Sequence, residues 1–362
     1  MNTAIFTIVA KNYLAYAKTL CNSIQEKHPE VCIFIVLADT FQDSNCSFKD
    51  VYPFELIFSE QLGIPFFSSF SFKYDVVEFA TAIKPYAMHF IFSNYTVDKL
   101  IYLDPDIHIF QRLDYILSLL EKHSIVLTPH ITKSFPNDGK GMIDRHILLA
   151  GLYNLGFIGI SRTKITDLFL TWWKEKLYDE CLMDSANALC VDQKWIDFVP
   201  LMFKDVYVIF HPGYNVAYWN LHERQVIFKD GVWHCNDQLL FFYHFSGIQV
   251  DNLDLLSKYQ NRYNLSNYPE LRKMFIFYKD LLVSNNYAKY SHETYSYNFF
   301  TDGSRIKSGD RKHYYLLGAK RHTIVDDPFD KSRYMIWKSK AIVSSIKTKL
   351  KFLKSKINLI LK

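Results

Sequence analysis

No stretch of this 362-residue chain approaches the roughly 18 consecutive apolar residues that a membrane span requires, so no transmembrane helix is expected. No basic residue precedes the apolar segment that runs to Ala10, and Lys11 and Asn12 then interrupt it, which reads against a signal peptide. Glycine and proline are scarce, at twelve and eleven residues, and this excludes collagenous and low-complexity classes. The six cysteines (Cys21, Cys32, Cys46, Cys181, Cys190, Cys235) include no C-x-x-C pair. They are expected to stay reduced in a cytoplasmic protein and to form no zinc site. The last absence is acid: from Lys331 to Lys362 there are nine lysines, one arginine and no Asp or Glu.

What is present is a folding composition, 49% hydrophobic and 17% aromatic, which rules out disorder. The net charge of +5 averages two unlike parts. The first 330 residues hold 32 basic and 37 acidic side chains, and the tail is strongly basic.

Along the first 130 residues strand and helix signals alternate. Ala4–Ala10, Val31–Ala38, Lys99–Leu103 and Ser124–Thr128 are short, β-branched apolar runs that read as buried strands. Tyr13–Lys27 has helical apolar spacing and stops at His28-Pro29. Asp75–Phe92 reads as a helix kinked at Pro85. The alternation predicts an α/β fold with a mostly parallel sheet covered on both faces. Helices are expected at Thr163–Asp179, Cys190–Pro200 and over Leu253–Lys289, apolar pieces at Val206–Phe210 and Leu239–Phe245, and irregular chain over Tyr290–Asp330.

Four motifs carry chemistry. Tyr102-Leu103-Asp104-Pro105-Asp106 follows an apolar strand. Its two carboxylates, stiffened by Pro105, suit a hard divalent cation, Mg²⁺ or Mn²⁺, although Asp-Pro-Asp alone is also an ordinary solvated turn. His244 in His244-Phe245-Ser246-Gly247 is either a third ligand or a core histidine. Asn154, between Gly151 and Gly156, either bonds a polyol or sits in a bulged strand. Asp192-Gln193 either faces a ligand or caps a helix.

Taken in order, Y-L-D-x-D, Y-N-x-G-F, D-Q and H-F-x-G resemble nucleotide-sugar glycosyltransferases of the GT-A fold, family 8 being the nearest type (the glycogenin and lipooligosaccharide galactosyltransferase group). The resemblance spans about residues 1–250. It implies a Rossmann-like catalytic domain over 1–250; beyond the resemblance, 251–330 is expected as a helical and irregular acceptor-side extension and 331–362, by its own spacing, as a basic amphipathic helix. It further implies that Asp104, Asp106 and His244 bind Mn²⁺ or Mg²⁺. Thr7, Val9, Ala10 and Asp39 would flank the nucleobase, and Lys84 would reach the donor phosphates, with Gly247 beside them. Asn154, Asp192 and Gln193 would face the donor sugar. The implied reaction moves a sugar from a UDP-sugar to a glycan or lipid-linked acceptor, with retention, in bacterial-type surface polysaccharide assembly. An inverting enzyme would instead use Asp192 as base. The family's lysine after H-F-x-G is missing, since Ile248-Gln249-Val250 follow, and Lys258 or Arg262 would have to replace it.

In the tail, Ile342, Ile346, Leu350, Leu353, Ile357 and Ile360 fall on one helical face bordered by lysines. That pattern predicts peripheral attachment to an anionic membrane surface, with docking on the acidic body as the alternative. No motif for nucleic acid accompanies it. A sugar nucleotidyltransferase would carry a Gly-rich loop after the first strand, and Ala10-Lys11-Asn12-Tyr13 has none. A catalytically silent sugar- or lipid-binding scaffold remains the reading of a different class.

Overall fold

The computed structural model describes residues 2–42, 44–318 and 321–339. The apolar stripe expected over 342–360 lies outside the described residues. The chain forms two compact units, one of Met1–Gly63 with Val76–Tyr295, the other of Ile64–Asp75 with Ser296–Lys362. Among the described residues no helix is long and apolar enough to cross a membrane.

The first unit is built on a seven-stranded sheet. Its strands are β1 (Thr3–Val9), β2 (Cys32–Leu37), β3 (Glu55–Phe58), β4 (Lys99–Leu103), β6 (Ile125–Pro129), β7 (Tyr153–Ser161) and β8 (Val206–Val208), while β5 (Ile107–Ile109) lies outside it. The order is β8-β6-β7-β4-β1-β2-β3. Only β7 runs antiparallel to its neighbours, β4 and β6. This is the mainly parallel α/β class expected. Residues 4–9 of β1 are all buried, as a central strand covered on both faces requires. Helix Leu14–Lys27 and its neighbours pack Leu14, Leu20 and Ile24 against the sheet's Ile5, Ile33 and Ile35.

β1 lies between β2 and β4, with β3 beyond β2. The chain therefore moves outward from β1 on one side and then returns to its other side. The crevice at the carboxyl ends of β1 and β4 is the position where such sheets bind ligands. Ala10–Tyr13 leave β1 there, and Asp104–Asp106 leave β4 there.

Several local expectations need correction. Asp75–Phe92 is two helices, Val76–Ala82 and Lys84–Asn94, and Pro85 opens the second because a first-turn proline gives up no intrahelical bond. Cys190–Pro200 is mostly a 3₁₀ turn, Lys194–Phe198, followed by Val199–Met202. Within 253–289 the α-helices are Pro269–Ser284 and Tyr287–Tyr290, with a 3₁₀ turn at Leu265–Asn267. The supposedly irregular 290–330 contains Ser308–Tyr315 and Arg321–Ile324. Of 239–245, only β9 (Phe242–His244) reaches β5, as an antiparallel pair. The short β3 and β5 left no readable period.

The second unit has its own core of Phe72, Phe300, Ile306, Tyr314, Val325 and Tyr334. Buried Arg311 ties it together, donating from Nη1 to the carbonyls of Phe72 and Tyr74 and from Nη2 to that of Tyr297. These bonds satisfy carbonyls at the end of helix Phe67–Lys73. A further helix covers 331–339, with Tyr334 buried and Met335 and Ile336 exposed.

Candidate functional site

Asp104 and Asp106 leave the end of β4 in a turn closed by Ile107 N–H on the Asp104 carbonyl at 3.1 Å. The β5–β9 pairing sets His244 opposite Ile107. Phe245 N–H also donates to the Asp106 carbonyl at 2.8 Å. Histidine and both aspartates are thereby brought together, with one ligand atom from each lying within 4.8 Å of the others. His244 Nε2 is 3.0 Å from Asp106 Oδ1 and 3.6 Å from Asp104 Oδ2. The Tyr102 hydroxyl donates to Asp104 Oδ1 at 2.5 Å, and Gly156 O accepts from Asp104 N.

Burial lifts the Asp104 carboxyl above its usual range; Lys84 and His244 oppose this and Asp106 adds to it. Burial also works against charge on His244, but Asp106 and Asp104 outweigh it and hold the imidazole above its ordinary value. Two carboxylates and an imidazole, crowded and partly shielded from water, form a donor set that fits a hard or borderline divalent cation. The unpartnered, buried Nδ1 of His244 leaves Nε2 directed at the carboxylates.

Lys84 stands beside this group, though its ammonium is already engaged. It donates to Asp192 Oδ2 at 2.5 Å and to the Leu155 carbonyl at 2.9 Å, 4.2 Å from the centre of the Tyr102 ring. Both members of the pair are buried. Burial raises the Asp192 carboxyl, while Lys84 pulls it down and Asp104 pushes it up.

Asn154 and Gln193 are hydrogen-bonded to each other. Gln193 Oε1 accepts from Leu155 N at 3.1 Å and from Asn154 Nδ2 at 3.3 Å, and its Nε2 donates to Ala150 O. Gln193 makes no capping bond to the helical turn that follows it. Asn154 Oδ1 accepts from Gly156 N and from Asn215 Nδ2, and Asn154 Nδ2 lies 3.1 Å from His130 Nε2. The facing strand slips register between Leu127 and Pro129 at this point, so Asn154 is both in an irregular strand and in a polar network.

Two cavities share Lys258 in their walls, and Trp219 of the larger packs edge-on against His244 with ring centroids 5.1 Å apart. The larger, about 700 Å³, has Asn154, Gln193, His130, Trp219, Tyr259 and Lys258 in its walls. The smaller, about 370 Å³, is lined by Asn12, Tyr13, Tyr16, Asp251, Tyr287 and again Lys258. Burial first, then the Asp106 charge, raises the Tyr13 phenol, and burial, then Tyr259 and Asp106, raises that of Tyr218. Thr7, Val9, Ala10 and Asp39 are buried and belong to neither wall. The Asp39 carboxylate accepts from the backbone N–H of Lys11 and of Thr40.

Gly247 has φ +73°, and a side chain there would strike Ser257 and Tyr259 at 2.6 Å. Its carbonyl accepts from Lys258 N–H at 2.9 Å. Of the two cations proposed for this spot, Arg262 is held bidentately by Asp138 at 2.6 and 2.8 Å, and Lys258 borders both cavities. Sequence reasoning missed His130, Asn215, Asn12 and Tyr13 as site residues. For Asn12 and Tyr13 a signal existed, since they directly follow the first strand; His130 and Asn215 stand in no motif.

No family model matches the chain. Two uncharacterized Bacillus subtilis proteins are similar to it. YfnF is 26% identical over 263 residues, 70% of this chain and 84% of its own. YfnD is 28% identical over 176 residues, 48% of this chain and 54% of its own. Among solved structures, the glycosyltransferase GlyE of Streptococcus pneumoniae aligns over 83% of this chain and 67% of its own, at 14% identity and a TM-score of 0.44. The galactosyltransferase LgtC, solved with donor and acceptor sugar analogues, aligns over 78% of this chain and 95% of its own, at 12% identity and a TM-score of 0.43.

Proposed function

We propose that this chain is a metal-dependent glycosyltransferase of the GT-A type that moves a sugar from a nucleotide-sugar, a UDP-sugar foremost, to a hydroxyl of a glycan or lipid-linked acceptor. The observation that carries the reading is the convergence of Asp104, Asp106 and His244 at the carboxyl end of β4, with His244 packed on Trp219 of a cavity of ligand size. Asp104, Asp106 and His244 would hold Mn²⁺ or Mg²⁺, which supplies Lewis-acid stabilisation of a departing diphosphate. The nucleoside occupies the smaller cavity against Tyr13, and Lys258, common to both walls, faces the diphosphate as a point charge. Asn154 and Gln193 hydrogen-bond the donor sugar, and the larger cavity, with Tyr218, Trp219 and Tyr259, admits the acceptor.

The placement of the carboxylates supports retention of anomeric configuration over inversion with Asp192 as base. Among the described residues no Asp or Glu lines the larger cavity, and Asp192 is buried against Lys84, which argues against its serving as a base on the far side of the sugar. The bond from the anomeric carbon to the diphosphate breaks, and the bond to the acceptor oxygen forms on the same face. The acceptor proton passes to the departing phosphate oxygen. An acceptor-side role for the chain beyond residue 250 is supported by Lys258, Tyr259, Gln260 and Asn261 in the cavity wall. The basic tail adds attachment to an anionic membrane surface.

The test is a panel of nucleotide-sugars with Mn²⁺, read as donor hydrolysis and sugar transfer. Activity with one donor, abolished by chelator and by Asp104→Ala or Asp106→Ala, is expected. Metal-dependent transfer surviving in either variant would overturn the metal assignment, and inactivity across the panel would favour the silent scaffold.

A further inference from the structure

Two segments of the first unit meet at the wall of the larger cavity. Loop 136–143 brings Gly141 and Met142 to it, and the turn at 257–263 brings Lys258, Tyr259 and Asn261. The loop is drawn in at its neck, where Phe135 N–H donates to Asp144 Oδ1 at 2.8 Å and Ile143 N–H to His146 Nδ1 at 3.1 Å. Just before the neck, Thr132 donates from its N–H and its hydroxyl to Glu223, and Phe135 stacks on His222 with ring centroids 4.1 Å apart. That is the build of a compact surface loop whose ends are held together.

The tip of the loop is held by much less. Among the described residues, Asp138 N–H donates to Pro136 O and Lys140 N–H to Asp138 Oδ1, both within the loop, and the hydrogen bonds that leave 136–142 are those from Arg262. Arg262 Nη1 and Nη2 grip the two Asp138 oxygens at 2.6 and 2.8 Å. The Arg262 side chain is only 5% exposed, with its guanidinium carbon 5.8 Å from the centre of the Phe135 ring, so this pair is better shielded than an open surface ion pair. Gly141 then lies so close to Asn261 that a side chain there would strike the Asn261 amide. The turn is braced without the loop: Lys258 N–H donates to the Gly247 carbonyl, and Gln260 exchanges two hydrogen bonds with the Tyr263 backbone, at 2.9 and 2.7 Å. The turn is therefore the fixed post, and the loop is the part that moves if the pair opens.

From this arrangement we propose that Asp138 and Arg262 are positioning residues, a clasp that holds loop 136–143 closed as a wall of the larger cavity and limits the entry of water there. The inference rests on the glycosyltransferase reading, to which it adds the element that separates transfer from hydrolysis. Water admitted to the site competes with the acceptor hydroxyl for the anomeric carbon. Its oxygen bonds to that carbon, the bond to the diphosphate breaks, and the proton leaves with the departing phosphate. The clasp acts through Gly141 and Met142 and leaves donor binding alone, because the metal triad and Lys258 are held in place by other contacts.

Hydrogen–deuterium exchange of the full chain tests the clasp, and hydrolysis of UDP-glucose, UDP-galactose and UDP-N-acetylglucosamine with Mn²⁺ tests its consequence. Arg262→Met and Asp138→Asn should each speed amide exchange over 137–143 by about tenfold or more. Both should raise the hydrolytic kcat by about threefold or more and leave donor KM and the melting temperature unchanged. Arg262→Lys, which keeps the charge and loses the fork, should fall between wild type and Arg262→Met in both readings. Lys140→Gln removes a charge from the same loop outside the clasp and should alter neither. Exchange over 137–143 that Arg262→Met and Asp138→Asn leave unchanged overturns the inference, and so does a loosened loop with unaltered hydrolysis. Wild type inactive on all three donors would count against the glycosyltransferase reading, and the exchange result would then decide the clasp by itself.

Discussion

A methyl group on Gly156 would sit 2.5 Å from Cε1 and 2.6 Å from Nδ1 of His244. The glycine is therefore the space into which the imidazole packs, across 88 residues of chain. Gly156→Ala is expected to push His244 away from Asp104 and Asp106. Overpacking should cost about 1–3 kcal/mol of stability, and Mn²⁺ affinity should fall about 10- to 100-fold. Titration calorimetry with Mn²⁺ and a urea melt check both. Unaltered Mn²⁺ binding would separate His244 from the metal site.

The Lys84–Asp192 pair has side chains 1% and 2% exposed, so removing one partner strands the other charge away from water. Lys84→Ala should destabilise the fold by about 3–5 kcal/mol, and Lys84→Met/Asp192→Asn by clearly less than the sum of the single changes. A double-mutant cycle in urea measures this. Additive losses would mean that the two groups do not interact.

Two buried histidines should each contribute a loss of stability on mild acidification. Burial holds the His130 and His108 imidazoles down to about 4, well below the ordinary 6.5. The unfolded chain then takes up protons first as the pH drops. Stability from the neutral rings is complete above about pH 6.5 and is lost progressively toward pH 4, by at most roughly 3 kcal/mol for each ring. Urea melts across this range should show the slope, and His130→Gln and His108→Gln should each flatten it. A slope unaffected by both changes would refute the assignment.

Gly247→Ala combines a left-handed backbone with a 2.6 Å clash against Ser257 and Tyr259. Both neighbours flank Lys258, so the change should displace that lysine. Donor KM is expected to rise about tenfold or more with a smaller effect on kcat, and Lys258→Met should reproduce the pattern because it removes ground-state binding. Arg262→Met should leave donor KM alone, since its guanidinium is committed to Asp138. Steady-state kinetics over a donor series distinguishes the two cations.

Much of the architecture was legible locally. Residues 4–9, 32–37 and 99–103 are nearly unbroken apolar runs, which is how a strand buried on both faces must read. Helix Lys164–Asp179 carries its own start signal, Thr163, whose hydroxyl accepts from Thr166 N–H. The breaks within 75–94 and 190–202 were less legible, because a proline or a 3₁₀ turn looks helical in apolar spacing. The candidate site divides in the same way. Asp104 and Asp106 lie two residues apart after a readable strand, but the partners of Asn154 include His130 and Asn215, which no period connects.

By itself, then, the sequence determined an α/β unit with two carboxylates at the end of a central strand, because alternation, burial and turn chemistry act over a few residues. Only the tertiary structure decided that β9 pairs with β5, setting His244 beside those carboxylates, and that Lys84 spends its charge on Asp192. It also decided that Lys258 and Tyr13 stand in cavity walls while Thr7 and Val9 are core. Those outcomes depend on long-range strand pairing and on which polar groups share one buried space. Burial forces such groups to find partners, but nothing local specifies which partners they will be.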